Sequence, residues 1–340
     1  MNSFLKNAIK YLLMLGLGGV LFWYVLRDQD PAKIASDFRR ADYFWVSTSV
    51  LISLIAYWTR ALRWNLLLKP LDIKPQAYKT FIALMAGYFV NILLPRGGEV
   101  ARCVMLNRMH KAPFNSTFGS VVTERVFDLI GLLILIGITF IVQFESISGF
   151  LSEILIDKFR GLFSSLQSMY IFIIIGLLFV ISILVMLWFL RHQIRKNTLY
   201  QKTNVFLGGV WEGVISIRKL EKKWLFLFYT ILIWVSYYFM TYTVFFALPE
   251  TSHLGLGVGL VILVVGGLAM SAPVQGGIGI FHIFVYSALL IYGIKIDDGK
   301  AYAFLVHTSQ TLIVIILGGI SFILALLIAK NKPSDETVIE

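Results

Sequence analysis

Long apolar segments constrain this chain more than any other feature of its sequence. Of its 340 residues, 58% are hydrophobic and 14% are charged, whereas soluble domains carry about 25% charged residues. Six segments are each long enough to cross a hydrocarbon core about 30 Å thick, and they lie near 9–26, 43–62, 118–142, 168–190, 224–248 and 300–329. The sequence therefore predicts an all-α polytopic membrane protein that forms one integral domain over 1–340.

Two further apolar regions are interrupted. Region 80–112 contains "NILLPRGGEVAR" (91–102), and region 254–292 contains "SAPVQGGIG" (271–279). Proline and glycine break helices at membrane depth only where protein or a water-filled cavity satisfies the freed backbone groups. We therefore expect two broken, re-entrant helical hairpins in addition to the six full spans.

The distribution of positive charge predicts how these hairpins enter the membrane, because cytoplasmic loops carry an excess of Lys and Arg. Loop 191–223 has eight basic residues, whereas loop 143–167 has two. The bias is satisfied if the first hairpin returns to the cytoplasmic side and the second enters from outside. We expect both termini, including the tail 331–340, to be cytoplasmic, and the protein to lie in the inner membrane of a bacterium.

The two interruptions also resemble each other. The segment "GYFVNILLPRGGEVARCVML" (87–106) and the segment "GGLAMSAPVQGGIGIFHIFV" (266–285) each have an apolar half-helix, a proline, a glycine pair and a second apolar stretch. Entry from opposite faces is the arrangement of inverted-topology repeats, in which broken helices meet near the midplane and form the substrate site. The sequence thus predicts an inverted repeat with a central site.

The first interruption has the residues of an anion site. Gly97 and Gly98 allow a tight turn, and a half-helix that begins near Glu99 directs its free N–H groups into the protein. With Arg96 and Arg102 beside it, such a helix end suits a phosphate group. The alternative is an interfacial loop whose arginines extend to lipid headgroups.

Other polar residues are predicted in or near the same region. Arg125 and Asp128 are spaced to form an ion pair, and Glu124 shares a helix face with Asp128. These three residues are either solvated at a helix end or part of an ion-pair network that lines a cavity. In the second hairpin and the last span, the polar groups either join helices by hydrogen bonds or line the same cavity, and they are Gln275, Gly276, Gly277, His282, His307 and Gln310.

The segment "WTRALRWNLLLKPL" (58–71) indicates membrane anchoring instead. Its residues Arg60, Arg63 and Trp64 are a basic and aromatic group at the end of a span. Such a group is typical of anchoring at the membrane interface, so the sequence assigns them no role in a site.

At these residues the chain resembles the lysylphosphatidylglycerol synthase/flippase transmembrane-region family, also called flippase-like. Nearly the whole chain is covered, in order, by "RALRWNLLL" (60–68), "LLPRGGEVAR" (93–102), "TERVFDLIGLL" (123–133) and "PVQGGIGIFH" (273–282). The resemblance implies an inner-membrane bundle with two re-entrant hairpins that moves a lipid between leaflets. Family members often carry Glu where His282 stands and Arg near His307, which implies a different headgroup here. The soluble synthase domain of some members has no counterpart in this sequence.

The sequence favours a lipid flippase or transporter for a phosphate-bearing lipid over an enzyme. It has no Walker-type phosphate loop and no metal-ligand spacing, so we expect no cofactor. The net charge of +11 lies in short loops, which indicates contact with a membrane and its phospholipids rather than with nucleic acid. Two alternatives remain: a membrane-embedded transferase for a lipid-linked substrate, with Glu99 or Glu124 as base, and a non-catalytic scaffold for envelope assembly.

Overall fold

The computed structural model describes residues 36, 38–94, 96–144, 220–272 and 274–330. This part of the chain is helical and contains no strand. The spans predicted near 9–26 and 168–190, most of loop 191–223 and the tail 331–340 lie outside the described residues. The α-helices of the described ranges are α1 (Tyr43–Leu68), α2 (Ala77–Leu93), α3 (Gly98–His110), α4 (Phe114–Val142), α5 (Lys223–Tyr242), α6 (Leu256–Met270), α7 (Ile280–Leu290) and α8 (Ile296–Lys330).

Three of these helices are long and apolar enough to cross a membrane. They are α4, α5 with its 3₁₀ continuation to Ala247, and α8. Helix α1 has 26 residues, so its length of about 39 Å also exceeds the hydrocarbon core. Large apolar side chains on α4 and α8, such as Ile141 and Ile323, are exposed on the protein surface, as expected for contact with lipid. The multi-pass all-α architecture is confirmed.

Helix α1 is longer than the span predicted for it. It begins after Asp42, whose carboxylate accepts a hydrogen bond from the Phe44 N–H at 2.9 Å and so caps the helix. It ends at Leu68, where a short 3₁₀ turn, Lys69–Leu71, contains Pro70. Arg60, Arg63 and Trp64, which the sequence assigns to the interface, therefore lie within the last part of this helix.

The two interrupted regions fold as broken helical hairpins. Helices α2 and α3 have 17 and 13 residues, and α6 and α7 have 15 and 11. Each is shorter than the roughly 20 residues needed to cross the bilayer. Within each hairpin the two half-helices pack against each other, as the positions of the glycine pairs predict.

Glycine is required where the first hairpin closes. A Cβ atom on Gly98 would overlap the carbonyl oxygen of Gly87 and would lie 2.6 Å from Cγ of Asn91. The Asn91 side chain accepts a hydrogen bond from the Gly98 N–H at 2.7 Å, so it satisfies one of the free N–H groups at the start of α3. In the second hairpin the turn instead uses left-handed backbone at Gly276 (φ 55°) and Gly277 (φ 73°), which glycine adopts without strain.

The described helices form two units of the same order: a long helix, a broken hairpin and a second long helix. The first unit is α1, α2–α3 and α4, and the second is α5, α6–α7 and α8. The first helices of the units pack against each other, and the last helix of each unit packs against the first half-helix of the other unit's hairpin. These reciprocal contacts match the inverted repeat that the sequence predicts.

Candidate functional site

Six charged side chains from three helices form a network that we call the ion cluster. Helix α1 contributes two arginines three residues apart, which places them on one helix face. Helix α3 contributes one arginine, and the first half of α4 contributes one arginine and two carboxylates. The members are Arg60, Arg63, Arg102, Glu124, Arg125 and Asp128.

Glu124 is the centre of the ion cluster and is fully buried. Its Oε2 atom accepts a hydrogen bond from Arg102 Nη1 at 3.1 Å. Its Oε1 atom accepts hydrogen bonds from Arg60 Nη2 and, at 2.8 Å, from Arg125 Nη2. One carboxylate thus joins helices α1, α3 and α4, because each of them supplies an arginine to it.

Asp128 forms the second centre, one helical turn along α4. Its Oδ1 atom accepts from Arg63 Nη2 at 2.6 Å, and its Oδ2 atom lies 3.1 Å from Arg60 Nη2. Helix α5 contributes two hydroxyl groups that contact the ion cluster. Tyr237 accepts a hydrogen bond from Arg60 Nη1 at 2.8 Å, and Thr230 accepts one from Arg63 Nη1 at 3.3 Å. The network predicted for Glu124, Arg125 and Asp128 is therefore present, and it extends to residues that the sequence did not implicate.

The ion cluster has a surplus of positive charge. Its four arginines and two carboxylates leave a sum of +2. Three of the arginines have side chains no more than 6% exposed, whereas Arg125 is 42% exposed. Surplus charge inside a membrane protein is costly and is usually functional. The cluster is thus suited to an anion that reaches it from the side of Arg125.

A cavity of about 540 Å³ adjoins the ion cluster, a volume within the range typical of ligand pockets. Arg60, Arg125, Asp128 and Tyr237 line its charged end. Its walls are mainly apolar, and the apolar residues of α4 and α6 that contribute to them are Leu129, Leu132, Ile262, Leu263 and Met270. The cavity combines a cationic end with walls that suit a hydrocarbon chain.

A second, uncharged polar group lines the same cavity. Gln310 of α8 lies with its Oε1 atom 3.5 Å from the Tyr57 hydroxyl, and it donates through Nε2 to Ser49 at 3.2 Å. His307, one turn earlier on α8, lies with Nε2 2.7 Å from the carbonyl oxygen of Gly276. The cavity therefore also has uncharged hydrogen-bonding groups in its wall.

The tips of the two hairpins contact each other. Gln275 Nε2 donates to the carbonyl oxygen of Leu93 at 3.0 Å, and Arg96 Nη2 donates to the carbonyl oxygen of Ser271 at 2.8 Å. Arg96 has left-handed backbone (φ 60°), an uncommon conformation for a residue other than glycine. The meeting of the two broken helices agrees with the expected arrangement.

Five of the fourteen predicted site residues line the cavity: Arg125, Asp128, Gly276, His307 and Gln310. Glu124 and Arg102 lie behind it in the ion cluster, and Arg96 and Gln275 join the hairpin tips. His282 is 1% exposed and lies behind His307, with the ring centroids 4.8 Å apart. The remaining predicted residues form the hairpin turns or begin α3, and they are Gly97, Gly98, Glu99 and Gly277.

Arg96 and Arg102 were expected to bind one phosphate together, but the structure gives them different partners. Arg102 pairs with Glu124 and stacks over Trp64, with its guanidinium carbon 4.8 Å from the ring centroid. Arg96 bonds to Ser271 at the hairpin tips. The arginines that reach the cavity are instead Arg60 and Arg125.

The assignment of Arg60, Arg63 and Trp64 to interfacial anchoring was wrong. All three are buried, and Trp64 Nε1 donates to Ser120 Oγ at 2.9 Å. Anchoring side chains would face headgroups, whereas these face other helices. The sequence signal for their burial is a pair of arginines three residues apart on one apolar helix, together with a pair of carboxylates four residues apart on another.

Comparison with known proteins gives the chain a family context. It matches the family described as "Lysylphosphatidylglycerol synthase TM region" over residues 10–318. The UPF0104 membrane protein PH1989 of Pyrococcus horikoshii is 23% identical in an alignment of 341 positions that covers 95% of this chain and 97% of that protein. A UPF0104 membrane protein of Methanothermobacter thermautotrophicus is 29% identical over 114 residues, 33% of this chain and 34% of that protein. Glycosyltransferase AglD of Haloferax volcanii is 26% identical over 113 residues, 33% of this chain and 18% of that protein. No solved structure matches the chain.

Proposed function

The chain belongs to the lysylphosphatidylglycerol synthase TM-region family, and on that premise we propose that it binds a phosphate-bearing lipid in the central cavity and moves it between the two leaflets. The observation that carries this proposal is the surplus charge of the ion cluster beside a cavity with apolar walls. A phosphate would compensate the surplus, and an acyl or isoprenoid chain would contact the walls. An amphiphile satisfies both requirements, whereas a small inorganic anion satisfies one.

Arg125 is the residue we propose as the first phosphate ligand. It lines the cavity and is the most exposed arginine of the ion cluster. Arg60 lines the same end and already uses its two terminal nitrogens on Tyr237 and the carboxylates, so it contributes mainly charge. The Tyr237 hydroxyl supplies a further hydrogen-bonding group at this end.

Transport by such a protein would be downhill or coupled to an ion, because the sequence has no nucleotide-binding loop. We retain the orientation that the positive charges predict, with both termini cytoplasmic and the second hairpin entering from outside. The curated relatives described above come from archaea, so the inner membrane of a bacterium stays a prediction from sequence alone.

The test is a flipping assay on the full chain reconstituted in liposomes with a fluorescent phospholipid that a reductant can quench in the outer leaflet only. The wild-type protein should speed exchange between leaflets. Arg125→Gln should slow it by roughly tenfold or more, because a hydrogen bond to a charged group contributes about 1.5–3 kcal/mol. Arg108→Gln is the matched control, since Arg108 is an exposed arginine of α3 outside the ion cluster. Exchange no faster than in empty liposomes would refute the proposal.

A membrane-embedded transferase is the second candidate, because one relative is named as a glycosyltransferase. The two carboxylates suggested as a base differ in their surroundings. Glu124 accepts hydrogen bonds from arginines on both oxygens, so neither oxygen is free to take a proton from a substrate. The Oε2 atom of Glu99 is buried and has no hydrogen-bond partner within the described ranges, so Glu99 is the better choice. Turnover of a labelled lipid-linked precursor by the purified protein, abolished by Glu99→Gln, would favour this function over transport.

A further inference from the structure

The cavity has two polar ends of different chemistry, and they limit the headgroup that can occupy it. We infer that the lipid carries a neutral, hydroxyl-bearing group beyond its phosphate, such as glycerol or a sugar, and no ammonium group. This inference rests on the proposed function and specifies the substrate class of the same site.

No carboxylate is free to bind an ammonium group at the described wall of the cavity. Asp128 is the acidic residue among the lining residues described. Its Oδ1 atom lies 2.6 Å from Arg63 Nη2, and its Oδ2 atom lies 3.1 Å from Arg60 and 3.4 Å from Arg125. Both oxygens are thus already engaged by arginine.

The surplus positive charge of the ion cluster also disfavours an ammonium group in the cavity. A phosphate placed beside Arg125 leaves any cationic substituent of the headgroup close to the guanidinium groups of Arg60 and Arg125, which line the cavity. In a site with little water, repulsion between like charges is strong. A headgroup with an ammonium group is therefore disfavoured even though its phosphate fits.

The uncharged end of the cavity is suited to hydroxyl groups. Tyr57, Gln310 and His307 line it, and their side chains include both donors and acceptors of hydrogen bonds. A hydroxyl group also donates and accepts, whereas an ammonium group only donates. The contact between Tyr57 and Gln310 is long, at 3.5 Å, so a ligand hydroxyl can replace it with little loss.

The charged end and the uncharged end of the cavity are close together, because helix α1 contributes a residue to each of them. Tyr57 precedes Arg60 by three residues, which is about 4.5 Å of helix rise. The ring of Tyr88 lies between them, with its centroid 5.4 Å from that of Tyr57 and 5.9 Å from the guanidinium carbon of Arg60. A headgroup whose phosphate contacts the charged end thus brings its next few atoms to the hydroxyl-binding end.

The inference is tested with three probes that share acyl chains and phosphate: phosphatidylglycerol, phosphatidylethanol and phosphatidylethanolamine. Leaflet exchange of each is measured in liposomes containing the full chain. Phosphatidylglycerol should exceed phosphatidylethanolamine by about tenfold, and phosphatidylethanol should be intermediate. Equal exchange of all three, or a preference for phosphatidylethanolamine, would overturn the inference and leave the proposed function standing. Exchange of none would overturn both.

A substitution separates headgroup recognition from general effects on folding. Gln310→Glu keeps the shape of the side chain and adds the carboxylate that the cavity wall lacks. It should raise exchange of phosphatidylethanolamine relative to phosphatidylglycerol by at least roughly threefold, and Gln76→Glu on the exposed surface should leave the ratio unchanged. Since a ratio of two lipids is measured in one preparation, partial loss of folded protein does not alter it. An unchanged ratio in Gln310→Glu would overturn the assignment of this end to the headgroup.

Discussion

The side-chain amide of Gln275 donates a hydrogen bond across the two broken hairpins to the backbone carbonyl oxygen of Leu93, 3.0 Å away. Leu93 is the last residue of α2, so its carbonyl is one of the groups at the helix end that have no partner within the helix. Gln275 is 8% exposed. The bond therefore satisfies a helix end and joins the two repeats at the same point.

Gln275→Met should destabilise the protein, because it keeps the size of the side chain and leaves the Leu93 carbonyl without this donor. The expected loss is about 1–3 kcal/mol of unfolding free energy, measured by chemical unfolding of the purified protein in detergent. Gln76→Met is the control, since Gln76 is exposed and its side chain does not cap α2. Equal stability of the two variants would contradict a structural role for the contact.

Glu124→Gln should have the largest effect of any single substitution in the ion cluster. It removes the carboxylate that three helices share and raises the local surplus from +2 to +3. Breaking a buried ion pair in this way costs about 3–5 kcal/mol, measured as unfolding free energy or as yield of monodisperse protein. The exposed pair of Asp72 and Lys74 provides a control, because Asp72→Asn should change stability little.

The double variant Glu124→Gln with Arg102→Gln distinguishes charge balance from packing. Removal of one positive and one negative charge restores the surplus to +2, so it should recover part of the stability lost in Glu124→Gln. The comparison of single and double variants gives the coupling energy of the pair. A double variant less stable than Glu124→Gln alone would show that Arg102 acts mainly through its contact with Trp64.

Gly98→Ala should prevent the first hairpin from closing. The added methyl group would meet the Gly87 carbonyl oxygen and the Asn91 side chain, and the backbone of two helices cannot yield without losing their packing. Gly137→Ala in α4 is the matched control, because a Cβ there has no neighbour within 4 Å and alanine favours a helix by about 1 kcal/mol. Size-exclusion profiles of the two variants should differ clearly, with aggregation in Gly98→Ala only.

The predicted topology is tested by labelling introduced cysteines in intact cells. Cys103 is buried and is removed first by Cys103→Ala. Arg108→Cys reports on the end of the first hairpin, and Asn197→Cys reports on the basic loop after Arg191. Both should react only from the cytoplasmic side, since the positive charges predict this. Opposite accessibility of the two positions would refute re-entry of the first hairpin.

The long helices and the broken hairpins of the described residues were predictable from composition and from Pro and Gly. Apolar runs predict the long helices, and the proline and glycine pairs predict the hairpins, because both signals are local in the sequence. The contact between the hairpin tips was also predicted, because the two interruptions resemble each other as the broken helices of an inverted repeat do.

The partners of individual charges were not predictable in the same way. Arg60 and Arg63 were assigned to the interface because a sequence shows that a helix carries charge but not which neighbour its face meets. Helix α1 continues to Leu68, so these arginines lie within the helix and face α4. Conversely, Arg96 and Arg102 are close in sequence, but the turn before α3 directs them to Ser271 and Glu124, respectively. Tertiary packing decided these contacts.

The ion cluster also makes the two hairpins mechanically unequal. Withdrawing α3 from the bundle separates Arg102 from Glu124 in surroundings that shield charge poorly. The second hairpin, 256–290, has no Asp, Glu, Lys or Arg, and the bonds described at its turn go to carbonyl oxygens. Displacing it breaks hydrogen bonds but separates no ion pair. When the two halves of this protein move relative to each other, we therefore expect the first hairpin to stay in place and the second hairpin to be displaced.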